Sequence, residues 1–260
     1  MPDRSVTLIT GATGGIGSAL AAQAAAAGQD LILTARRPDS LASLAESLHS
    51  LHGIRVLVAE ADLAQADGAD RLFNAVTASG WRVDQLINNA GFGIWGPLAE
   101  TEPGQLADLL QVNLLSLTTL TRLLLPSMIS KGSGGILNVA SLAAFQPGPA
   151  MSVYYASKAY VLSFSEALSM ETRGTGVRVS CLCPGATSTG FASAAHMENS
   201  RLFRSGTMSS EAVARTAWEG FSRGKRVIIP GFKNKILAMA GRFAPHALSL
   251  RVVRFLHRKE

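Results

Sequence analysis

The stretch Thr10-Gly11-Ala12-Thr13-Gly14-Gly15-Ile16-Gly17 decides the fold. It follows an apolar run at 6–10 with the composition of a buried strand, and it leads into a helical pattern at about 15–28. Glycines allow a tight turn, and the free N–H groups of a helix N-terminus attract an anion. The spacing departs from G-x-G-x-x-G but fits both T-G-x-x-x-G-x-G and T-G-x-x-G-x-x-G. A plain turn is the alternative, yet the position after the first strand favours a dinucleotide pyrophosphate held by Gly11, Thr13, Gly15, Ile16 and Gly17.

Outward from this stretch, short Val-, Ile- and Leu-rich runs alternate with helix-like segments. Strands buried on both faces read as nearly continuous apolar runs, and a repeating βα pattern implies a parallel sheet covered by helices. We therefore predict a single doubly wound α/β domain of the Rossmann type with a seven-stranded parallel sheet. The predicted strands are 6–10, 30–35, 54–60, 83–88, 135–140, 176–183 and 226–230, and the predicted helices are 15–28, 39–52, 64–79, 98–131, 152–173 and 209–222.

The composition and charge of the chain exclude some classes of protein. With 47% hydrophobic and 16% charged residues, the 260-residue chain can bury a full core, which excludes a mostly disordered protein. The net charge of +6 is uneven, because residues 223–260 hold 10 of the 24 Lys and Arg residues and one acid, Glu260. The rest is mildly acidic, which argues against a nucleic-acid partner. No uninterrupted apolar run reaches the roughly eighteen residues of a spanning helix.

The cysteines and histidines of the chain bear on its cellular compartment and on metal binding. Cys181 and Cys183 would face one side of a strand, badly placed to pair, so we expect a reducing compartment and a cytoplasmic location. The histidines are scattered and no Cys/His cluster has ligand spacing, so no metal is expected.

The end of the second strand carries information on the cofactor. An acid there would accept hydrogen bonds from the 2′-hydroxyl of NAD, but the sequence has Arg36 and Arg37. Two guanidinium groups can clamp a 2′-phosphate, so we expect NADP(H) to be preferred over NAD(H). The alternative is a solvated loop, where paired arginines are common.

A tyrosine, a lysine and a serine form a candidate catalytic set. Tyr154 and Lys158 lie four residues apart on a predicted helix and share a face, and Ser141 ends the fifth strand. Reduction of a carbonyl needs a proton, and a nearby ammonium would lower the pKa of the phenol from about 10 and ease its exchange. Ser141 would hydrogen-bond the substrate oxygen. Tyr155 is the rival donor, and the alternatives are that Ser141 caps a turn and Tyr154 packs in the core.

These motifs together resemble the short-chain dehydrogenase/reductase family. The resemblance lies in Thr10–Gly17, Asn88-Asn89-Ala90-Gly91, Asn113, Ser141, Tyr154-x-x-x-Lys158 and Pro184-Gly185-x-x-x-Thr189, which occur in that order. The length is that of the shorter reductase branch. The resemblance implies carbonyl/alcohol oxidoreduction with a nicotinamide cofactor, and a homodimer or homotetramer formed through the helices around Asn113 and Tyr154.

The resemblance also assigns roles to further residues. It implies that Lys158 holds the cofactor ribose and that Asn113 binds a water in a proton relay, although a satisfied core amide is the alternative for Asn113. Asp62 and Leu63 look like the adenine contacts, and Pro184, Gly185 and Thr189 like the nicotinamide loop. The cofactor cleft would be lined by Asn89, Ala90 and Gly91, although loop packing is the alternative for Leu63 and Ala90.

The expected substrate wall is apolar, with Trp95, Phe145, Phe191 and Met197 as its main candidates. Residues 188–209 fit a mobile lid that also carries His196. We therefore expect a bulky or lipophilic carbonyl substrate.

The C-terminal extension, 231–260, follows a catalytic domain at 1–230. Leu248, Val252, Phe255 and Leu256 recur at helical spacing beside Arg251, Arg254 and Arg258. Such a basic amphipathic helix could pack on the body or on a second subunit and cover the substrate cleft, lie on an anionic membrane as a peripheral contact, or remain solvated. A redox-sensing regulator that binds the dinucleotide without turnover is the alternative function, and a nucleic-acid or membrane module resting on this extension is a third.

Overall fold

Seven parallel strands form the centre of the molecule in a computed structural model that describes residues 5–195, 197, 200–204 and 206–257. The strands are β1 Val6–Thr10, β2 Asp30–Thr34, β3 Val56–Val58, β4 Gln85–Asn88, β5 Gly134–Val139, β6 Val177–Leu182 and β9 Val227–Ile228, with a separate parallel pair of β7 Thr187–Ser188 and β8 Met208–Ser209. Their order across the sheet is β3-β2-β1-β4-β5-β6-β9, which confirms the predicted doubly wound arrangement. The strand order reverses between β1 and β4, and ligands bind at the carboxyl ends of strands at such a point.

Helices cover both faces of the sheet. The alanines of the first helix (Ala21, Ala24 and Ala25) pack against a cluster that includes Phe221 of the ninth helix. Leu72, Leu124 and Leu168 cover the other face. The helices are α1 Gly15–Ala26, α2 Pro38–His52, α3 Gly68–Ala78, α4 Pro103–Leu110, α5 Leu117–Lys131, α6 Ser152–Glu171, α7 Phe191–Ala194, α8 Arg201–Arg204, α9 Ser210–Ser222, α10 Phe232–Phe243 and α11 His246–Leu256.

The long helical segment expected at 98–131 has a more detailed structure. A short 3₁₀ turn precedes α4, and a π-helical turn, Gln111–Ser116, joins α4 to α5. By length and composition Pro103–Lys131 could cross a membrane, contrary to our expectation. Leu117, Leu120 and Leu124 are buried within the fold, whereas Leu110, Leu115 and Ile129 are exposed. The π turn places Asn113 behind the catalytic cluster, and such turns often occur at functional sites.

The last two helices, α10 and α11, lie against the catalytic face of the molecule. The side chain of Asn234 on α10 is so close to Gly185 that a methyl group there would come within 2.6 Å of its Oδ1. The indole N–H of Trp95 donates to the carbonyl of His257, just after α11. The extension therefore packs on the body of its own chain. His196 and Arg258 lie outside the described residues.

Candidate active site

The glycine-rich turn forms a cradle for an anion. Helix α1 begins after Gly14 with neither a side-chain cap nor an acidic residue in its first turn, so its backbone N–H groups face the cleft without a competing carboxylate. A Cβ on Gly17 would lie 2.3 Å from the carbonyl oxygen of Gly11. One on Gly15 would lie 2.6 Å from Cγ2 of Thr189. The backbone therefore needs glycine at both positions, and the open N-terminus fits a dinucleotide pyrophosphate.

Asn89 holds this turn in place from the neighbouring strand. Its side-chain Nδ2 donates to the carbonyls of Thr10 and Gly11, each at 3.0 Å. The Thr10 hydroxyl in turn accepts from the backbone N–H groups of Asn89 and Ala90. The residues after β1 and β4 are thus tied together at the point where the strand order reverses.

The rim of the cleft is positively charged at the end that lies away from the glycine-rich turn. Arg36 and Arg37 are exposed and line the cleft after β2, and Asp62 and Leu63 line it after β3. Burial tends to raise the pKa of Asp62, but hydrogen bonds from Gln65 and the Ala64 N–H, with the charge of Arg36, hold that pKa below its usual value. The carboxylate is therefore ionised beside the arginines at neutral pH.

Ser141, Tyr154 and Lys158 meet at the carboxyl end of β5. The Ser141 oxygen accepts from the N–H of Ala143 at 3.1 Å, so it does cap a turn while it also faces the cavity. The Ser141 hydroxyl is hydrogen-bonded to the Tyr154 phenol. Lys158, 5% exposed, donates from Nζ to the carbonyl of Val139 at 2.9 Å, and this Nζ lies 5.8 Å from the Tyr154 ring centre.

The pKa values of this cluster differ from our sequence expectation. Burial raises the pKa of Tyr154 from 10.0 to about 12, and the hydrogen bond to Ser141 only partly opposes this. Burial also lowers the pKa of Lys158 from 10.5 to about 8. The expectation that Lys158 lowers the tyrosine pKa is therefore wrong for the ligand-free chain, because desolvation disfavours both charged forms. The phenol is neutral at physiological pH and holds the proton that a reduction requires.

Asn113 supports the cluster without reaching the cavity. Its Oδ1 accepts from the N–H of Phe92, and its Nδ2 donates to the Phe92 carbonyl and to Ser157. A Cβ on Gly91 would lie 3.0 Å from Asn113 Oδ1 and 3.2 Å from Lys158 Nζ. The amide is thus satisfied within the core, next to the lysine, and its relay role stays a prediction.

The cleft continues into an apolar chamber, and together they enclose about 1030 Å³. The chamber wall comes from three parts of the chain. Met151 and Tyr155 lie at the base, Phe191, Met197 and Phe203 come from the segment between β7 and β8, and the last two helices complete it. Their lining residues are Leu237, Ala240, Gly241, Ala244, Leu248, Ser249, Val252, Val253 and Leu256.

The family follows from these features and from sequence comparison. The family model described as short chain dehydrogenase matches residues 5–199, three quarters of the chain. This chain belongs to the short-chain dehydrogenases. The match covers the glycine turn, Asn89 and the Ser141, Tyr154 and Lys158 cluster, and it ends at residue 199.

Relatives of this short-chain dehydrogenase differ in what they bind. Sulfoacetaldehyde reductase of Chromohalobacter salexigens is 39% identical over 185 residues, covering 70% of this chain and 72% of that protein. A short-chain dehydrogenase from Sphingobium yanoikuyae, solved with NADPH, has a TM-score of 0.83 at 31% identity and covers 91% of this chain and 92% of its own. One from Burkholderia phymatum, solved with NAD, has a TM-score of 0.82 at 28% identity with the same coverage of both chains.

Most residues that the sequence singles out come together in this short-chain dehydrogenase. The cavity lining includes the expected catalytic residues Ser141, Tyr154 and Lys158. It also includes all the expected cofactor residues, which are Gly11, Thr13, Gly15, Ile16, Gly17, Arg36, Arg37, Asp62, Leu63, Asn89, Ala90, Gly91, Pro184, Gly185 and Thr189. No group of three or more His, Cys, Asp or Glu side chains suited to a metal occurs among the described residues. Cys181 and Cys183 are free, with their sulfurs 3.8 Å apart on one side.

Two of the four substrate residues that we expected lie elsewhere. Phe191 and Met197 line the chamber, whereas Trp95 and Phe145 are outside its lining. Trp95 is turned toward the end of α11, where its indole N–H meets the His257 carbonyl. Phe145 instead packs against the cluster that contains Val161 and Leu162. Large rings after a strand predict an apolar cluster, but they do not specify which rings face the substrate.

The structure contains a hydrogen-bonded contact between Tyr155 and His257 that was not predicted from the sequence. The Tyr155 hydroxyl lies 2.9 Å from Nε2 of His257, and the other ring nitrogen, Nδ1, lies 2.7 Å from the carbonyl of Pro149. Burial lowers the pKa of His257, so the neutral ring is favoured, with Nδ1 donating to Pro149 and Nε2 accepting from Tyr155. The residues are 102 positions apart, and no local pattern links them.

Proposed function

We propose that this short-chain dehydrogenase is an NADP(H)-dependent reductase of bulky, lipophilic carbonyl compounds, with Tyr154 as the proton donor. The observation that carries the proposal is the neutral, buried Tyr154 phenol, which faces an apolar chamber where that chamber meets the dinucleotide cleft. Such a position puts a proton donor beside a carbonyl whose remaining bulk occupies the chamber.

In the proposed reaction, the cofactor supplies the hydride and the protein supplies the proton. When bound, the dinucleotide supplies a hydride to the carbonyl carbon. As the C=O π bond breaks, the Tyr154 O–H transfers its proton to the oxygen, and the carbonyl becomes an alcohol. Ser141 is placed to hydrogen-bond the same oxygen while negative charge develops on it. Lys158 stands beside the phenolate that remains, with its Nζ 5.8 Å from the centre of the Tyr154 ring.

The preference for NADP(H) rests on Arg36 and Arg37. Similar folds were solved with NADPH and with NAD, so the fold alone does not decide between the two dinucleotides. Both arginines are exposed at the rim, which suits a charged 2′-phosphate better than a hydroxyl. We expect Arg36→Ala to raise the Kd for NADPH about tenfold, the scale of one exposed charge-assisted hydrogen bond, and to leave the Kd for NADH nearly unchanged. Equal loss for both dinucleotides would contradict this role.

The chamber favours a lipophilic substrate over a small anionic one. Sulfoacetaldehyde, the substrate in the relative's name, carries a sulfonate that needs a cation. Among the described lining residues, the Lys and Arg side chains are Arg36, Arg37 and Lys158, all in the cofactor half. We therefore expect bulky ketones, quinones or steroids to be reduced faster than sulfoacetaldehyde. The test is NADPH oxidation with a panel of these carbonyl compounds.

The same assay separates an enzyme from a redox-sensing regulator. A pure sensor has no need for the Ser141, Tyr154 and Lys158 cluster at the cleft. Tyr154→Phe should lower kcat at least a hundredfold, the scale of a lost general acid. Tyr155→Phe is the matched control, because its hydroxyl binds His257 and should affect kcat far less. Tight NADPH binding with no turnover of any carbonyl would favour the regulator.

We also propose a homodimer or homotetramer formed through α4, α5 and α6. These helices and the π turn between α4 and α5 expose apolar side chains that a second copy could bury, namely Leu110, Leu115, Ile129, Tyr160 and Met170. Light scattering after size exclusion should give a multiple of the chain mass, and Leu115→Lys should reduce that multiple. A monomer at micromolar concentration would contradict the proposal.

A further inference from the structure

Helices α10 and α11 carry an unpartnered apolar face, which we call the C-terminal face. On α10, Phe232, Ile236, Met239 and Phe243 follow helical spacing and form one stripe along the outside. Phe232 and Phe243, at its two ends, are each 77% exposed, far more than large rings normally are in a folded chain. On α11, Leu248, Val252 and Phe255 form a second exposed stripe, although the Phe255 ring also contacts Arg201.

The charge beside these stripes has one sign. Lys233, Lys235 and Arg242 flank the stripe on α10, and Arg251 and Arg254 lie on α11. The sequence has no Asp or Glu between Glu219 and Glu260, so no acid on either helix compensates these five cations. The combination of an outward apolar stripe and flanking Lys and Arg is that of a helix lying in the interface of an anionic membrane.

We propose that the C-terminal face docks on an anionic lipid bilayer, with α10 and α11 lying in the plane of the headgroups. A second copy of this chain is a poorer partner, because a two-fold contact would bring five cations against five. Lipid phosphates and carboxylates supply the opposite charge, and the acyl region accepts Phe232 and Phe243. The docking rests on the surface alone and does not depend on turnover.

The same face is continuous with the chamber. Leu237, Leu248 and Val252 line the cavity and are each about half exposed, so the chamber wall and the docking face share side chains. Docking would therefore bring the chamber to the lipid, where a lipophilic carbonyl is concentrated. This last step rests on the proposed function, whereas the docking itself is measured without substrate.

The test is co-flotation of the full chain with vesicles at low salt. We expect binding to vesicles of phosphatidylcholine with phosphatidylserine and little binding to phosphatidylcholine alone. Lys233→Gln combined with Arg242→Gln should weaken the binding about thirtyfold, from about 1 kcal/mol for each cation near an anionic surface. Phe232→Ser combined with Phe243→Ser should weaken it at least tenfold. Leu51→Ser combined with Arg82→Gln, which changes an exposed leucine and arginine elsewhere, is the matched control and should bind as the wild type does.

Three outcomes would overturn the docking proposal. They are no flotation of the wild type with phosphatidylserine vesicles, equal flotation of the phenylalanine variant, and an oligomer mass that falls in this variant, since a second copy would then occupy the face. The substituted side chains are exposed, so thermal melting should be unchanged and the loss of flotation can be assigned to the surface. A chain that floats but reduces no carbonyl would refute the proposed function and leave the docking proposal supported.

Discussion

Lys158 is expected to destabilise the ligand-free chain, and its removal tests this directly. Its amine is buried, and burial lowers its pKa from 10.5 to about 8. The unfolded chain therefore binds the proton more tightly, so the free energy of unfolding rises with pH between about 8 and 10.5. The pKa difference corresponds to about 3 kcal/mol of lost stability near pH 7, which falls to about 1 kcal/mol near pH 10.

The assay is urea unfolding of the wild type and of Lys158→Met, without cofactor and at fixed protein concentration. The variant loses the hydrogen bond to Val139, about 1 kcal/mol or more, but that loss hardly depends on pH. We expect the advantage of the variant over the wild type to shrink by about 2 kcal/mol from about pH 7 to about pH 10. Lys225→Met, which removes an exposed amine, is the control. A difference that does not change with pH would refute the argument that desolvation of Lys158 opposes folding.

Three further substitutions test other parts of the site. Gly17→Ala should abolish dinucleotide binding and lower the melting temperature, because the added Cβ would lie 2.3 Å from a backbone oxygen. Calorimetry measures both effects. The control is Gly104→Ala on α4, where the added Cβ would have no neighbouring atom within 4 Å. His257→Phe removes the acceptor of the Tyr155 hydroxyl, so it should raise KM several-fold with little change in kcat. An unchanged KM for every bulky ketone would contradict a role of His257 in shaping the chamber. Ser141→Ala should lower kcat about tenfold to a hundredfold at unchanged Kd for NADPH, and a change confined to Kd would contradict its placement at the substrate oxygen.

The sheet and the cofactor half could be predicted because their signals are local. A buried parallel strand is an uninterrupted apolar run, and the residues after its carboxyl end lie at the ligand edge wherever the strand is placed. Arg36 after β2, Asp62 after β3 and Ser141 after β5 reach one cleft for that reason. The strand pair β7 and β8 was missed, because two residues each are too few to show a pattern.

The substrate half depends on contacts between distant segments, so it could be predicted only in outline. The apolar character of the wall was evident, but whether Phe145 or Leu237 faces the chamber depends on where the last two helices dock. The pKa of Tyr154 also escaped prediction. Its spacing from Lys158 was visible in the sequence, whereas the extent of burial that dominates both pKa values is set by the complete fold.

The contact between Gly185 and Asn234 bears on how such a chain could diversify. The dinucleotide machinery lies within the first 199 residues, while much of the chamber wall comes from residues after position 200. A chimera that exchanges the segment after position 200 with that of a homologue would keep the chemistry and alter the range of ketones accepted. The contacts that such a chimera would have to preserve include those of Asn234 with Gly185, of His257 with Tyr155 and of His257 with Trp95. New substrate specificities could therefore evolve by replacement of the C-terminal segment, while the cofactor-binding part of the chain stays constant.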